Sequence, residues 1–198
     1  MDISGYRALF LLVILGFALL AASPLIGEIM PKKDTELFSE IWILGPDHNA
    51  SGYPSVIKDG ATNSIFIGGR NNVGETSYYM VYVKLLNSTF LIRDENISTT
   101  DFLDPLYEFK FLVGNGDAWE FPVTFRFEDL SFADDILSVG NINVNGINFP
   151  NKVYTLFNSE KDGFFFDLSF ELWRYNIQNN VFEYDGRFVN LHLKLEIS

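Results

Sequence analysis

Cysteine is absent from the 198 residues. Disulfides, thiolate metal ligands and thiol nucleophiles are excluded together, so packing alone must hold any folded domain. Histidine is scarce: His48 and His192 are the only two, and any imidazole base or ligand has to be one of them. Basic residues are few, with 14 Lys and Arg against 26 Asp and Glu and a net charge of −12. No basic cluster offsets that charge, and so acidic a surface repels phosphate backbones, which argues against nucleic-acid partners. There is no Gly-x-Ser-x-Gly elbow, His-Glu-x-x-His helix or Gly-x-x-x-x-Gly-Lys loop. Internal repeats and low-complexity tracts are missing as well.

Long apolar runs are also lacking, with one exception. "ALFLLVILGFALLAASPLIG", residues 8–27, carries no charge. Twenty residues at about 1.5 Å each span roughly 30 Å as a helix, the thickness of a bilayer's hydrocarbon core. A cleaved signal peptide is the competing reading. Its best small-residue pair, Ala21 and Ser23, would leave Pro24 directly after the cut, a poor context, and the run is long for a leader. A retained transmembrane helix is the expectation. Lys32 and Lys33 after the run outweigh Arg7 before it, but such counts lose force for a long translocated domain.

From Glu36 onward the apolar pattern has period two. In "LYEFKFLV" (106–113), Tyr107, Phe109, Phe111 and Val113 share one face; in "AWEFPVTFRFE" (118–128), Trp119, Phe121, Val123, Phe125 and Phe127 do. Asn115-Gly116 between them predicts a hairpin with a type I′ turn. Pro122, lacking an amide donor, predicts an edge or bulged strand. "FVNLHLKLEI" (188–197) alternates as regularly and puts His192 on the polar face. "EIWIL", "NSIFIGG", "SYYMVYVKLL", the residues around Asn145-Gly146 and "FFFDLSFELWRY" complete nine or ten strands, the pattern of a β-sandwich. Gly68-Gly69 predicts a bulge or the start of a loop, and residues 129–160 an extra hairpin or loop excursion.

"ILGPDHNASGYPSVIKDG", "GGRNNVGETSYYMVYVKL", "GDAWEFPVTFRF", "FELWRYN" and "FEYDGRFVNLHLKLEI" together resemble an archaeal family of uncharacterised membrane proteins. The likeness covers most of 41–128 and 164–197. It implies N-terminal membrane helices and an external immunoglobulin-like β-domain, with no catalytic or ligating residues to carry over. Relatives often have several helices, whereas this chain has one apolar run.

The stretches closest to chemistry have plain readings beside the sharp ones. "GPDHNASGYP" holds His48 next to Asp47, but Gly45, Pro46 and Gly52 are turn residues and His192 is its only possible imidazole partner. Asp101/Asp104, Glu128/Asp129 and Asp134/Asp135 could serve a structural Ca²⁺, yet they lack EF-hand spacing and read as solvated loops. Sequons at Asn49, Asn87 and Asn96 are no more than composition yields by chance, although all fall at predicted turns or strand ends. Trp42, Trp119 and Trp173 fit strand patterns that place them in or beside the core, against a sugar-stacking role.

The expectation is an all-β protein: an immunoglobulin-like antiparallel β-sandwich preceded by one N-terminal transmembrane helix. Residues 1–7 form a short cytoplasmic N-terminus, 8–27 the span, 28–40 a linker and 41–198 the extracellular domain. The protein is expected in the cell membrane as a single-pass protein with its C-terminal domain outside. Its function is expected to be non-enzymatic, as a cell-surface or membrane-complex accessory with a protein partner. No catalytic residue, metal or cofactor is expected; Asn49, Asn87 and Asn96 are glycosylation candidates. A glycan- or small-ligand-binding receptor domain is the alternative, marked by aromatics grouped on one sheet face. An extracytoplasmic hydrolase, marked by carboxylates converging in a cleft, comes third.

Overall fold

The computed structural model describes residues 6, 10, 12–17, 37–87, 103–150 and 153–196. They belong to two units, Met1–Glu36 and Leu37–Ser198. In the first, residues 6, 10 and 12–17 are helical and exposed. No helix among the described residues is long and apolar enough to cross a membrane. The remainder of the 8–27 run, and residues 28–36 of the linker, lie outside the described residues.

The second unit is built of strands. They are β1 (Phe38–Leu44), β2 (Val56–Lys58), β3 (Asn63–Asn72), β4 (Ser77–Asn87), β5 (Tyr107–Val113) and β6 (Ala118–Ala133). There follow β7 (Ile136–Val144), β8 (Ile147–Phe149), β9 (Val153–Asn158), β10 (Gly163–Asn176) and β11 (Val181–Glu196). All join one sheet, ordered β1-β3-β6-β7-β9-β10-β11-β2, with β4, and β5 beyond it, on the same edge of β10 as β9, and β8 beside β7. Every pairing is antiparallel except β11 with β2. The all-β class therefore holds, as one curled sheet.

Curling follows from β9. Its residues 153–156 pair with β7 and 157–158 with β10, so one short strand joins two halves. The halves then face each other across aromatic contacts: Phe109 to Phe121 at 5.2 Å, Phe111 to Trp119 at 4.7 Å and Phe127 to Phe166 at 6.1 Å between ring centroids. The period-two residues of β5, β6, β10 and β11 supply this core. Residues 129–160 are thus no excursion: they contain the bridge that lets the sheet close on itself.

Turn chemistry differs in detail from expectation. At Asn115-Gly116 only Gly116 has positive φ, and Asp117 N–H donates to Gly114 O at 3.1 Å. That is a type II arrangement, which needs one left-handed residue where type I′ needs two. The type I′ pattern appears instead at Asn145-Gly146 and Asp134-Asp135, where both central residues have positive φ and the flanking residues pair. Pro122 sits inside the sheet rather than on an edge strand. However, β6 pairs with β7 only from Phe125 onward, so at Pro122 it has β3 alone beside it.

Gly68 and Gly69 make neither bulge nor loop. They lie in unbroken ladders with β1 and β6. A Cβ on Gly68 would come 2.5 Å from Trp42 Nε1, and one on Gly69 would come 2.4 Å from Trp119 Cζ2. Trp42 covers the first on the outer face, half-buried; Trp119 covers the second in the core. The glycines make room for two indoles on opposite faces.

Candidate functional site

The two histidines do not meet. His48 takes a left-handed conformation in the turn after β1, with φ 56°. Its Nδ1–H donates to Glu120 of β6 at 2.5 Å, and its ring stacks on Phe66 at 3.7 Å between centroids. His192 of β11 donates to Asp167 of β10 at 2.5 Å and stacks on Phe165 at 4.8 Å. Each ring is held between a carboxylate and a phenylalanine, in different halves of the sheet. Spacing in the chain showed neither partner.

Two of the three acidic pairs have structural duties. Asp134 and Asp135 are the central residues of a hairpin turn, and Arg126 pairs with Glu128 at 2.8 Å. Among the described residues no group of three or more His, Asp or Glu could hold a metal ion. Asp101 lies outside the described residues.

Of the sequons, Asn49 is exposed, and its Oδ1 accepts from Ser51 N–H at 3.2 Å and Ser51 Oγ at 2.6 Å. The sequon thus forms a local turn. Asn87 ends β4 half-buried, with Nδ2 donating to Tyr154 O at 3.0 Å. Asn96 lies outside the described residues.

The densest polar arrangement lies where strand alternation gave no signal. Across β10 and β11, Leu172 pairs with Arg187 but Trp173 pairs with Tyr184. Asp185 and Gly186 are therefore extra residues in a bulge, and Gly186 supplies its positive φ of 73°. The kink directs the Asp185 carboxylate to Ser39 of β1 and to Arg174 Nε, 3.5 Å away. Ser39 Oγ in turn hydrogen-bonds Tyr79 OH at 2.9 Å, and Tyr79 OH donates to Asn71 Oδ1 at 3.0 Å. Asn71 is fully buried, and its Nδ2 donates to Val113 O at 2.9 Å and Glu75 O at 2.8 Å. One hydrogen-bonded chain thus ties β1, β3, β4, β5 and β11 together.

Burial sets the electrostatics of this chain. It pushes the Asp185 carboxyl above its ordinary range, against the Ser39 hydrogen bond and the Arg174 and Arg187 charges that favour ionisation. Burial likewise raises Tyr79, opposed by hydrogen bonds from Ser39 and Ser77, so this phenol stays a neutral donor.

A cleft of about 790 Å³ opens beside Arg174 and Asp185, with Tyr78, Tyr175 and Tyr184 on its wall and Leu112 and Ile177 at its rim. The aromatic surface continues along the outer face of this half: Tyr78 against Phe182 at 5.1 Å, Trp173 against Tyr184 at 5.7 Å, and Tyr82 against Trp173 at 5.5 Å. Trp173 is consequently half-buried on the outside, and not among core residues. Beneath this row Lys84 and Glu171 form a buried ion pair at 3.0 Å, and Trp173 Nε1–H donates to Glu171 at 3.2 Å. Arginine, carboxylate, hydroxyls and ring faces together suit polar recognition with stacking.

Asp-Gly inside "FEYDGRFV" was the available sequence signal for the bulge, since an isolated glycine in a strand pattern marks one. Tyr79 reads simply as a strand residue, and Asn71 falls just past the strand expected to end at Gly68-Gly69.

No curated protein matches the chain. Residues 31–131, more than half of the chain, match the family described as "Domain of unknown function (DUF1616)", and the chain belongs to that family.

Proposed function

We propose that the protein works by binding and not by catalysis, as an accessory of the cell surface or of a membrane complex. In this reading residues 8–27 anchor it and the β-unit, an immunoglobulin-like interaction domain, stands outside the cell. One observation carries the proposal: Tyr78, Tyr82, Trp173, Tyr175 and Tyr184 gather on the outer face formed by β4, β10 and β11, with Arg174 lining the cleft beside them. Those residue types dominate the energetics of protein interfaces, because they bury large rigid surfaces and keep a polar handle. The long unbroken apolar run of the N-terminal segment supports the anchor. Of the two described sequons Asn49 is the better placed glycan acceptor, being exposed and outside the regular strands.

A second reading is favoured by the same surface. The cleft lies within the usual size range of small-ligand pockets, and tyrosines beside Arg174 could stack on and hydrogen-bond a sugar. A photo-crosslinking residue at Tyr175 in native membranes tests the first reading. A discrete protein adduct is expected there and not at Glu160, which lies in the turn before β10. Equal labelling at both positions would remove the interface. A soluble glycan retained by the wild type and released by Tyr175→Ala, with no protein adduct, would select the second reading. Protection of the domain from impermeant labels on intact cells would refute its placement outside.

A further inference from the structure

We propose that the end of the β-unit carrying Leu37, Leu112 and Ile177 rests on the surface of a lipid bilayer. The inference rests on the proposed membrane anchor. These are the three most exposed large apolar side chains described in the unit, at 66%, 71% and 83% exposure. They come from three separate places in the chain: the residue before β1, the end of β5 and the hairpin between β10 and β11. Leu112 and Ile177 rim the same cleft, and Leu37 lines an adjoining hollow of about 270 Å³; Arg174 and Asp185 border both.

Scattered single apolar residues are ordinary on a water-facing surface, but the three most exposed ones at one end are not. A lipid surface is the occupant that chain connectivity favours. Leu37 follows the last residue of the apolar run by ten positions. Fully extended, ten residues reach at most about 36 Å, so Leu37 is tethered within that reach of any bilayer the run enters. The opposite end, with the β6–β7 and β9–β10 turns, lies a strand length farther along β6 and β10.

Charge decides the kind of contact. Arg174 and Arg187 face this end, but so do Asp185, Glu75 and Glu183. The acids cancel the guanidiniums, so attraction to anionic headgroups does not drive the contact. Shallow insertion of Leu37, Leu112 and Ile177 at the headgroup boundary does.

The lack of native cysteine makes the test direct. The full chain is reconstituted into phosphatidylcholine vesicles with a single environment-sensitive fluorophore on Ile177→Cys, Leu112→Cys or Glu160→Cys. Vesicle flotation is measured alongside quenching by spin-labelled lipids. The expected result is a blue shift and several-fold stronger quenching at positions 177 and 112 than at 160, unchanged when anionic lipid is added. Flotation with equal quenching at all three positions would overturn this inference and leave the anchor standing. Loss of flotation would overturn both.

Discussion

Two adjacent glycines illustrate how tightly the sheet is fitted at the level of single residues. At Gly69, an added methyl group would meet Glu40 O at 2.2 Å and the Trp119 ring at 2.4 Å. The first obstacle is backbone in a paired strand, and the second is a large ring inside the core, so neither can yield without moving its element. At Gly68 the obstacle is mainly Trp42, whose half-exposed ring can swing toward solvent. Gly69→Ala is therefore expected to cost about 1–3 kcal/mol, the usual range for overpacking a core. Gly68→Ala is expected to cost clearly less. Paired chemical melts of the two variants check this ordering, and equal stabilities would refute the proposed roles of the two indoles. The histidines are fitted by the same logic, since each donates one ring nitrogen and stacks the ring face.

At the level of elements, the bulge at Asp185-Gly186 has a pH signature. The Asp185 carboxyl has a folded-state pKa raised above its ordinary 3.8 by burial. Its proton is thus bound more tightly in the folded protein than in the unfolded chain. The stabilisation from that proton is complete below the ordinary value and is lost as pH rises through the higher folded value. Asp185→Asn keeps a hydrogen-bonding group and cannot ionise. The melting temperature of this variant relative to wild type should therefore climb as pH goes from about 4 to 7. A constant difference across that range would show that the carboxyl titrates as it does in water.

This element also marks the limit of what the sequence discloses. Alternation made the core faces of β5, β6 and β11 legible, because each apolar residue reports its own side of the sheet. Turn residues located the hairpins. The type at Asn115-Gly116 depended on one φ that composition does not determine. The network of Ser39, Asn71, Tyr79 and Asp185 was invisible because its members come from four strands and meet only through register and a bulge. Strand patterns place Trp42 and Trp173 in or beside the core, yet they lie on outer faces, where an opposite glycine and a buried ion pair make places for them.

For the whole molecule, the question is whether the curled sheet needs anything from the N-terminal segment. The described core runs from Ile57 to Leu195, and the first strand of the sheet begins at Phe38. That strand pairs with β3 over its full length, and Ser39 joins the buried network, so β1 belongs to the fold while no described core residue precedes it. A domain of about 150 residues buries roughly 70% of its unfolded-chain surface, enough to fold on its own core without disulfides. Deleting residues 1–36 should leave a soluble protein with β-sheet circular dichroism and a single cooperative melt. The four residues of the network should keep their order, because every partner they use is retained. Beginning the chain at residue 46 instead, without β1, should remove Ser39 and expose the β3 edge, with loss of cooperativity or aggregation. A non-cooperative melt with strong dye binding from the 37–198 protein would mean that the first 36 residues complete the core. A cooperative melt there and a failed one from the shorter chain would place the boundary of the folding unit at the start of β1.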